Sequence, residues 1–272
     1  MKRRFSSVGY WFVASVLLVA ALIIILVLLS RRQYAQAPTE PLLLYCAANL
    51  RVPIEEIAKN YQQETGVGVS AQYAGSQTML TNAEVSKRGD LFLPADESYI
   101  ELARQKGMIA QTYPLASMRP VLAVKQGNPK NIRGVDDLLR GDLTIAQANP
   151  NAAAIGKVTR PVLQRAGLWD KLAEHTRTFQ PTVTDVANAV KLGTVDCGIV
   201  WDTTVRQTGG LEAIDLPVFA ETRSSIVIAV LKSSAQPSVA NAFALYASNA
   251  DKGLKVFERF GYRVDVARAP RP

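Results

Sequence analysis

The chain has 272 residues, a formal charge of +8, one histidine and two cysteines. The first 32 residues hold five Lys/Arg and no Asp/Glu, so the remainder carries about +3 and has no basic block interleaved with aromatics of the kind nucleic acid requires. Metal ligation by His and Cys fails for want of ligands. No G-x-S-x-G, H-E-x-x-H, C-x-x-C or Walker loop is present either, so an enzyme is not expected.

Met1–Gly9 carries Lys2, Arg3 and Arg4, Tyr10–Ser30 then runs without a charge, and Arg31–Arg32 closes the run. A stretch of roughly 20 apolar residues is long enough to cross a bilayer as a helix. Its length and the closing arginines point to a retained anchor. Ala35–Gln36–Ala37 matches a small-x-small cleavage pattern and keeps a cleaved signal open, although Pro38 follows at once. In either case everything from about Gln33 is expected outside the cytoplasm. The anchored chain would be a single-pass protein of the cell membrane, held in the inner membrane through residues 10–30.

After the linker 33–41, strand-like and helix-like patterns alternate. Leu42–Cys46 is a continuous apolar strand. Pro53–Thr65 places Ile54, Ile57, Ala58 and Tyr61 on one helical face and stops at Gly66. Val67–Tyr73 alternates as a strand, and Gly75–Ser86 is a helix opened by Ser76. Asp90–Leu93 is a short strand, after which Asp96 caps Tyr99–Gln105. Val121–Lys125, the helix Val135–Leu139 and the strand Leu143–Ala148 repeat the pattern. Helices follow near Lys157–Ala166 and Trp169–His175. Thr184 or Asp185 caps a helix bearing Val186, Ala189 and Val190, which Gly193 ends. Cys197–Trp201 and Ser225–Leu231 are further strands, and two helices cross Pro237–Phe260. Such alternation predicts a mostly parallel sheet covered on both faces, and some 220 residues predict two α/β lobes.

Cys46 and Cys197 each end or open an apolar strand, so two buried free thiols are the expected state, with a disulfide as the alternative. His175 lies in a charged helix stretch, which suits a solvated surface residue better than a base. Glu55–Glu56 and Asp136–Asp137 are adjacent carboxylates facing different directions, and neither pair forms a site.

What recurs is a strand that ends in small residues and turns straight into a helix: YCAANL (Tyr45–Leu50), YAGSQTML (Tyr73–Leu80) and LPADES (Leu93–Ser98). Free N–H groups at a helix start favour an anion, and in an open α/β sheet such sites sit at the carboxyl ends of the strands. One junction alone is weak evidence, because Ser76 or Asp96 can simply cap its own helix.

With these junctions in order, the stretch from LLLYCAANL through YAGSQTML to LPADES resembles the start of the periplasmic molybdate-binding proteins that serve ABC importers. The likeness continues through AQANPNAAAIGKVTRPVLQRAGLWDKL and TDVANAVKLGTVDCGIVWDTT and covers about Leu42 to Tyr262. It implies a type II periplasmic-binding-protein fold, α/β and two-lobed with a cleft between the lobes, preceded here by the transmembrane segment. Residues 42–118 with 221–262 would form lobe one, 119–220 lobe two and 263–272 a tail. It also implies a small oxyanion held by neutral donors, an ABC permease as partner, and no cofactor. Carried across, the ligand residues are Asn49, Ser76, Ala95, Ile155 near the proline loop, Asp185–Val186 at a helix start, and Trp201. Asn49 stands where the family has serine and Trp201 where it has tyrosine; both can still donate through nitrogen. Asp202, beside Trp201, would repel a dianion if it faced the cleft and would be harmless at a helix start or the surface. Two alternatives follow from these departures: another small anion or polar solute on the same fold, or a membrane-tethered sensor or interaction domain without transport.

Overall fold

The computed structural model describes residues 40–264, with Leu17 and Val19 before them. The run Tyr10–Ser30, those two residues apart, and the tail beyond Val264 lie outside the described residues. Among the described residues no helix is long and apolar enough to cross a membrane.

Among the described residues ten strands form two sheets. The first has the order β2-β1-β3-β10-β4, from β1 (Leu42–Ala47), β2 (Val69–Ala74), β3 (Leu91–Leu93), β4 (Ile109–Met118) and β10 (Ser224–Leu231). The second has the order β7-β6-β8-β5-β9, from β5 (Pro120–Lys125), β6 (Ile145–Ala148), β7 (Thr176–Gln180), β8 (Cys197–Trp201) and β9 (Leu211–Ile214). Three strands at one end of each sheet are parallel, and the fourth strand runs against its neighbours: β10 against β3 and β4, β5 against β8 and β9. In both sheets the reversed strand is the one that has just arrived from the other sheet. The two halves therefore share one topology and exchange a strand.

The helices are α1 (Arg51–Thr65), α2 (Ser76–Ser86), α3 (Ser98–Gln105), α4 (Ala154–Arg165), α5 (Trp169–His175), α6 (Val183–Leu192), α7 (Asp202–Thr208), α8 (Pro237–Ala247) and α9 (Gly253–Arg259). Helix α1 buries Pro53, Ile54, Ile57 and Tyr61 and ends at Gly66, whose φ of 79° is the left-handed conformation glycine adopts without strain. It starts two residues earlier than the apolar spacing suggests, because the 3₁₀ turn Ala48–Leu50 feeds straight into it.

Strands β4, β7 and β9 have no counterpart in the sequence reading. Pro114 interrupts the apolar pattern of β4, and the ladder shifts register beside it, between Ile226 and Val227. β7 and β9 are short edge strands with no fully buried residue. Cys46 and Cys197 are free, buried and in different sheets; burial raises both thiols, Cys197 to about 12, which leaves them protonated and inert.

The chain crosses between sheets twice at one place. β4 ends at Met118, β5 begins at Pro120, and Ser224 at the start of β10 pairs with Met118. Arg119, between the strands, donates its N–H to Asp202 Oδ1 (3.2 Å) and its guanidinium to Asp215 (2.7 Å), the bond that most raises its pKa. Ser224, fully buried, shares its one hydroxyl proton between Ala95 O (2.7 Å) and Asp96 Oδ2 (2.8 Å). Both crossings are thus tied by polar contacts to the ends of strands that face the gap between the sheets.

Gly156, in the first turn of α4, fixes that helix against the second sheet. A Cβ there would collide with the carbonyl oxygen of Ala148 and with the backbone of Pro150 at 2.8 Å. Gly156→Ala should lower unfolding stability by about 1–3 kcal/mol, the usual cost of overpacking, measured as a reduced urea midpoint with unchanged slope.

Candidate functional site

Four helix starts converge on one narrow cavity between the sheets. They belong to the 3₁₀ turn Ala48–Leu50 leading into α1, to α2, to α4 and to α6, and the end of β8 closes the ring. Thirteen residues line it, none of them charged and six of them alanine. The cavity is narrow, with a volume of about 10 Å³. That is far below the roughly 300–1,000 Å³ typical of sites for drug-sized ligands.

Each helix start brings backbone donors. The amides of Ser76 and Thr78 in α2, of Ala154, Ile155 and Gly156 in α4, and of Val183 and Thr184 in α6 have no acceptor among the described residues. An N–H in the first turn has no intrahelical partner, and aligned peptide dipoles place partial positive charge there. Those starts are built by local sequence. Asn149-Pro150-Asn151 makes a turn in which Asn149 O accepts from Ala152 N (3.0 Å) and Ala153 N (2.9 Å), and α4 begins immediately after it.

Most of the expected ligand residues surround this cavity. Asn49, Ser76, Ala95, Ile155 and Trp201 all line it. Ser76 does not cap its own helix: Gly75 is the cap residue, and Ser76 Oγ instead accepts the Ala95 N–H at 3.1 Å. The amide of Ala95 is thereby engaged, while the serine hydroxyl keeps its proton to donate. Asn49 is held through its carbonyl, which accepts from Tyr262 Oη (3.0 Å), itself an acceptor for Gln207 Nε2 (3.0 Å). Its side-chain Nδ2 donates to Met118 Sδ at 3.6 Å, which leaves one of its two N–H groups without an acceptor among the described residues. Trp201 is fully buried at the end of β8.

Asp185 and Val186 lie elsewhere. Helix α6 starts at Val183 and is capped by Thr182, not by Thr184 or Asp185. Thr182 Oγ1 accepts from Asp185 N (3.1 Å) and donates to Asp185 Oδ2 (2.6 Å), while Val186 N bonds to Thr182 O (3.3 Å). Both amides are consumed by the cap, and Thr182 with Val183 stands at the cavity in their place. The signal was present as the spacing Thr182-x-x-Asp185, the capping-box pattern before an apolar run. Asp202 faces away from the cavity. Its Oδ1 accepts from Arg119 N and from Thr203 N (2.9 Å), and Oδ2 is 3.6 Å from Arg119 Nε.

Cations stay outside the cavity. Arg51 lies over the Tyr73 ring at 4.4 Å and Lys191 donates to Thr208 O at 2.8 Å. Both line a wider polar groove of about 510 Å³ that shares Ala48, Asn49 and Thr182 with the cavity. Lys157 sits 4.3 Å over the ring of Tyr99, reaching from α4 to α3 in the other half; burial lowers its pKa and nearby Asp96 opposes that.

The family profile described as bacterial extracellular solute-binding protein matches residues 42–263. The chain belongs to that family. Among curated relatives, the molybdate-binding protein ModA of Mycobacterium tuberculosis is 26% identical over 263 residues, spanning 93% of this chain and 98% of the relative. Among solved structures, the periplasmic molybdate-binding protein of Azotobacter vinelandii superposes with a TM-score of 0.70 at 21% identity, covering 82% of this chain and 99% of that one. The sulfate-binding protein SubI of M. tuberculosis gives 0.74 at 20% identity, covering 85% and 89%. These likenesses establish the two-sheet fold of the family, whose named relatives are binding proteins rather than enzymes.

Replacing Ser76 by Ala would leave the buried Ala95 N–H without its acceptor. Ser76→Ala should therefore cost about 1–3 kcal/mol of unfolding stability in the absence of any ligand, read from urea denaturation. Ser76→Thr, which keeps the hydroxyl, should recover most of it.

Proposed function

We propose that this chain is the extracytoplasmic substrate-binding component of an ABC importer, and that it holds a molybdate- or tungstate-like oxyanion between its two halves. One observation carries the reading: four helix starts meet at an uncharged, alanine-lined cavity. A tetrahedral oxyanion needs many short donors around a small volume. Each hydrogen bond to a charged group is worth about 1.5–3 kcal/mol, so neutral donors suffice without a countercharge. The proposed donors are the Ser76 hydroxyl, the Asn49 amide, the Trp201 indole N–H and the backbone amides of Ile155 and Val183. The alanine walls let the anion come close to the backbone. Binding of molybdate and sulfate by the relatives named above favours the oxyanion class.

In this reading, residues 42–118 with 221–262 act as one lobe and 119–220 as the other. They turn about the paired crossings at Met118–Pro120 and Ser224, and the ligand stabilises the closed form, which docks on a permease. Tyr10–Ser30 tethers the chain to the membrane. The wider groove favours a second reading on the same fold, in which a larger polar solute extends from the cavity past Asn49 and Thr182.

Molybdate or tungstate should raise the melting temperature, and at 100 times the dissociation constant should add about 2.7 kcal/mol of stability. Phosphate should do less, because its proton would find no carboxylate in the cavity wall to accept it. Trp201→Phe keeps the aromatic body but removes the indole donor, and should weaken molybdate binding by about 1.5–3 kcal/mol in titration calorimetry. If none of molybdate, tungstate, sulfate and phosphate shifts the melting curve at millimolar levels, the oxyanion reading fails. The tether is tested separately: the full chain should stay with membranes through a carbonate wash, and a released form starting near Pro38 would overturn it.

A further inference from the structure

Gly75, the residue just before α2, has φ −62° and ψ 149°. This is ordinary extended backbone, open to any L-residue, so its own conformation does not call for glycine. What calls for it lies across the cavity. A Cβ at position 75 would stand 2.5 Å from the carbonyl oxygen of Ala152 and 2.9 Å from that of Pro181. Both oxygens belong to the opposite half, on the loops that follow β6 and β7. Neither is the end of a side chain that could swing away, so relieving the clash means moving the half itself.

The same place holds a direct bond between the halves. Gln77 N–H donates to Ala152 O at 3.1 Å. As the second residue of α2, Gln77 has no carbonyl within its helix to bond, so this acceptor across the cavity is the one it uses. Gly75 and Gln77 bracket Ser76, the residue whose hydroxyl faces the cavity. The approach of the two backbones therefore sets how far the Ser76 wall stands from the Ala153–Ile155 wall.

We propose that Gly75 is a positioning residue for ligand binding: its missing side chain lets the start of α2 reach the Ala152 and Pro181 carbonyls, and the Gln77–Ala152 bond latches the halves at that spacing. The latch uses no ligand atom. The proposal rests on the reading that a solute is held between the halves, and adds what fixes the distance between its walls. A Cβ at position 75 would shift the population toward the open form, and apparent affinity falls in proportion to the closed fraction. Opening forfeits the free energy by which the closed form is favoured without ligand, about 1.4 kcal/mol for a tenfold shift, and alanine's restriction of the unfolded chain offsets part of that loss.

The test compares the full-length chain with Gly75→Ala by hydrogen–deuterium exchange resolved at the Gln77 amide, together with thermal melting and molybdate titration. The expected result is exchange at Gln77 roughly tenfold faster or more, unchanged exchange from Met79 onward, only a small drop in melting temperature and molybdate affinity weakened by a similar factor. Equal protection of Gln77 in the two proteins would overturn the proposal. Loss of protection along the whole of α2 would overturn it too, by showing a disturbed helix rather than an open cleft. If the parent binds no oxyanion yet Gln77 protection is lost only in the variant, the oxyanion reading fails and the latch stands.

Discussion

The governing constraint is the unpaired backbone amide at a helix start. An N–H buried away from water without an acceptor costs free energy comparable to a lost hydrogen bond, and here the amides of four residues that line one cavity, Ser76, Ala154, Ile155 and Val183, have no acceptor among the described residues. Side-chain caps could have answered them, and the chain largely withholds those caps. Gly75 precedes α2 and Ala153 precedes α4, neither able to cap with a side chain. At α6 Thr182 does cap, yet it spends its hydroxyl on Asp185 and leaves Val183 and Thr184 free. The result is a wall of donors whose natural complement is an anion.

Holding those starts in one place demands rigidity from residues that never face the cavity. The two crossings lie side by side, so a single ladder, Ser224 opposite Met118, sets the relation between the sheets. Ser224 ties the second crossing to Ala95 and Asp96 at the end of β3, and Ala95 in turn donates to Ser76. Arg119 ties the first crossing to the start of α7 and to Asp215. The Ser76 hydroxyl is therefore held by a chain of bonds that ends at the second crossing. Buried networks of this kind favour one geometry because leaving any member unpaired is costly.

Much of this was legible in the residues. Apolar runs located β1, β3 and β8, and the three strand-to-helix junctions around Asn49, Ser76 and Ala95 do meet at one cavity. Strand β4 was hidden because Pro114 breaks its pattern, and only the partner strand, with its shifted register, accommodates it. The start of α6 was misplaced because a carboxylate at position 185 looks like a cap; the threonine three residues earlier takes that role and uses the carboxylate as its acceptor. Gly75 could not be recognised as a contact residue from sequence at all. Its importance lies in carbonyl oxygens of Ala152 and Pro181, which no side-chain pattern reports.

The two departures from the resembling family then carry different weights. Asp202 looked the graver, since a carboxylate beside a dianion in a low-dielectric cleft is strongly repelled. Its position removes the difficulty: both oxygens are committed to Arg119 and Thr203 at the start of α7, and the arginine offsets its charge. The change to Asn49 and Trp201 acts through shape. The indole is bulkier than a phenol, and the asparagine carbonyl-side backbone is pinned by Tyr262. With the wall spacing latched at Gly75, neither side chain can gain room by moving the halves apart. Differences in ligand choice from the molybdate-binding relatives should therefore originate at these two side chains, where donor geometry changes, and not at the backbone amides of the helix starts, which stay donors whatever the side chains are.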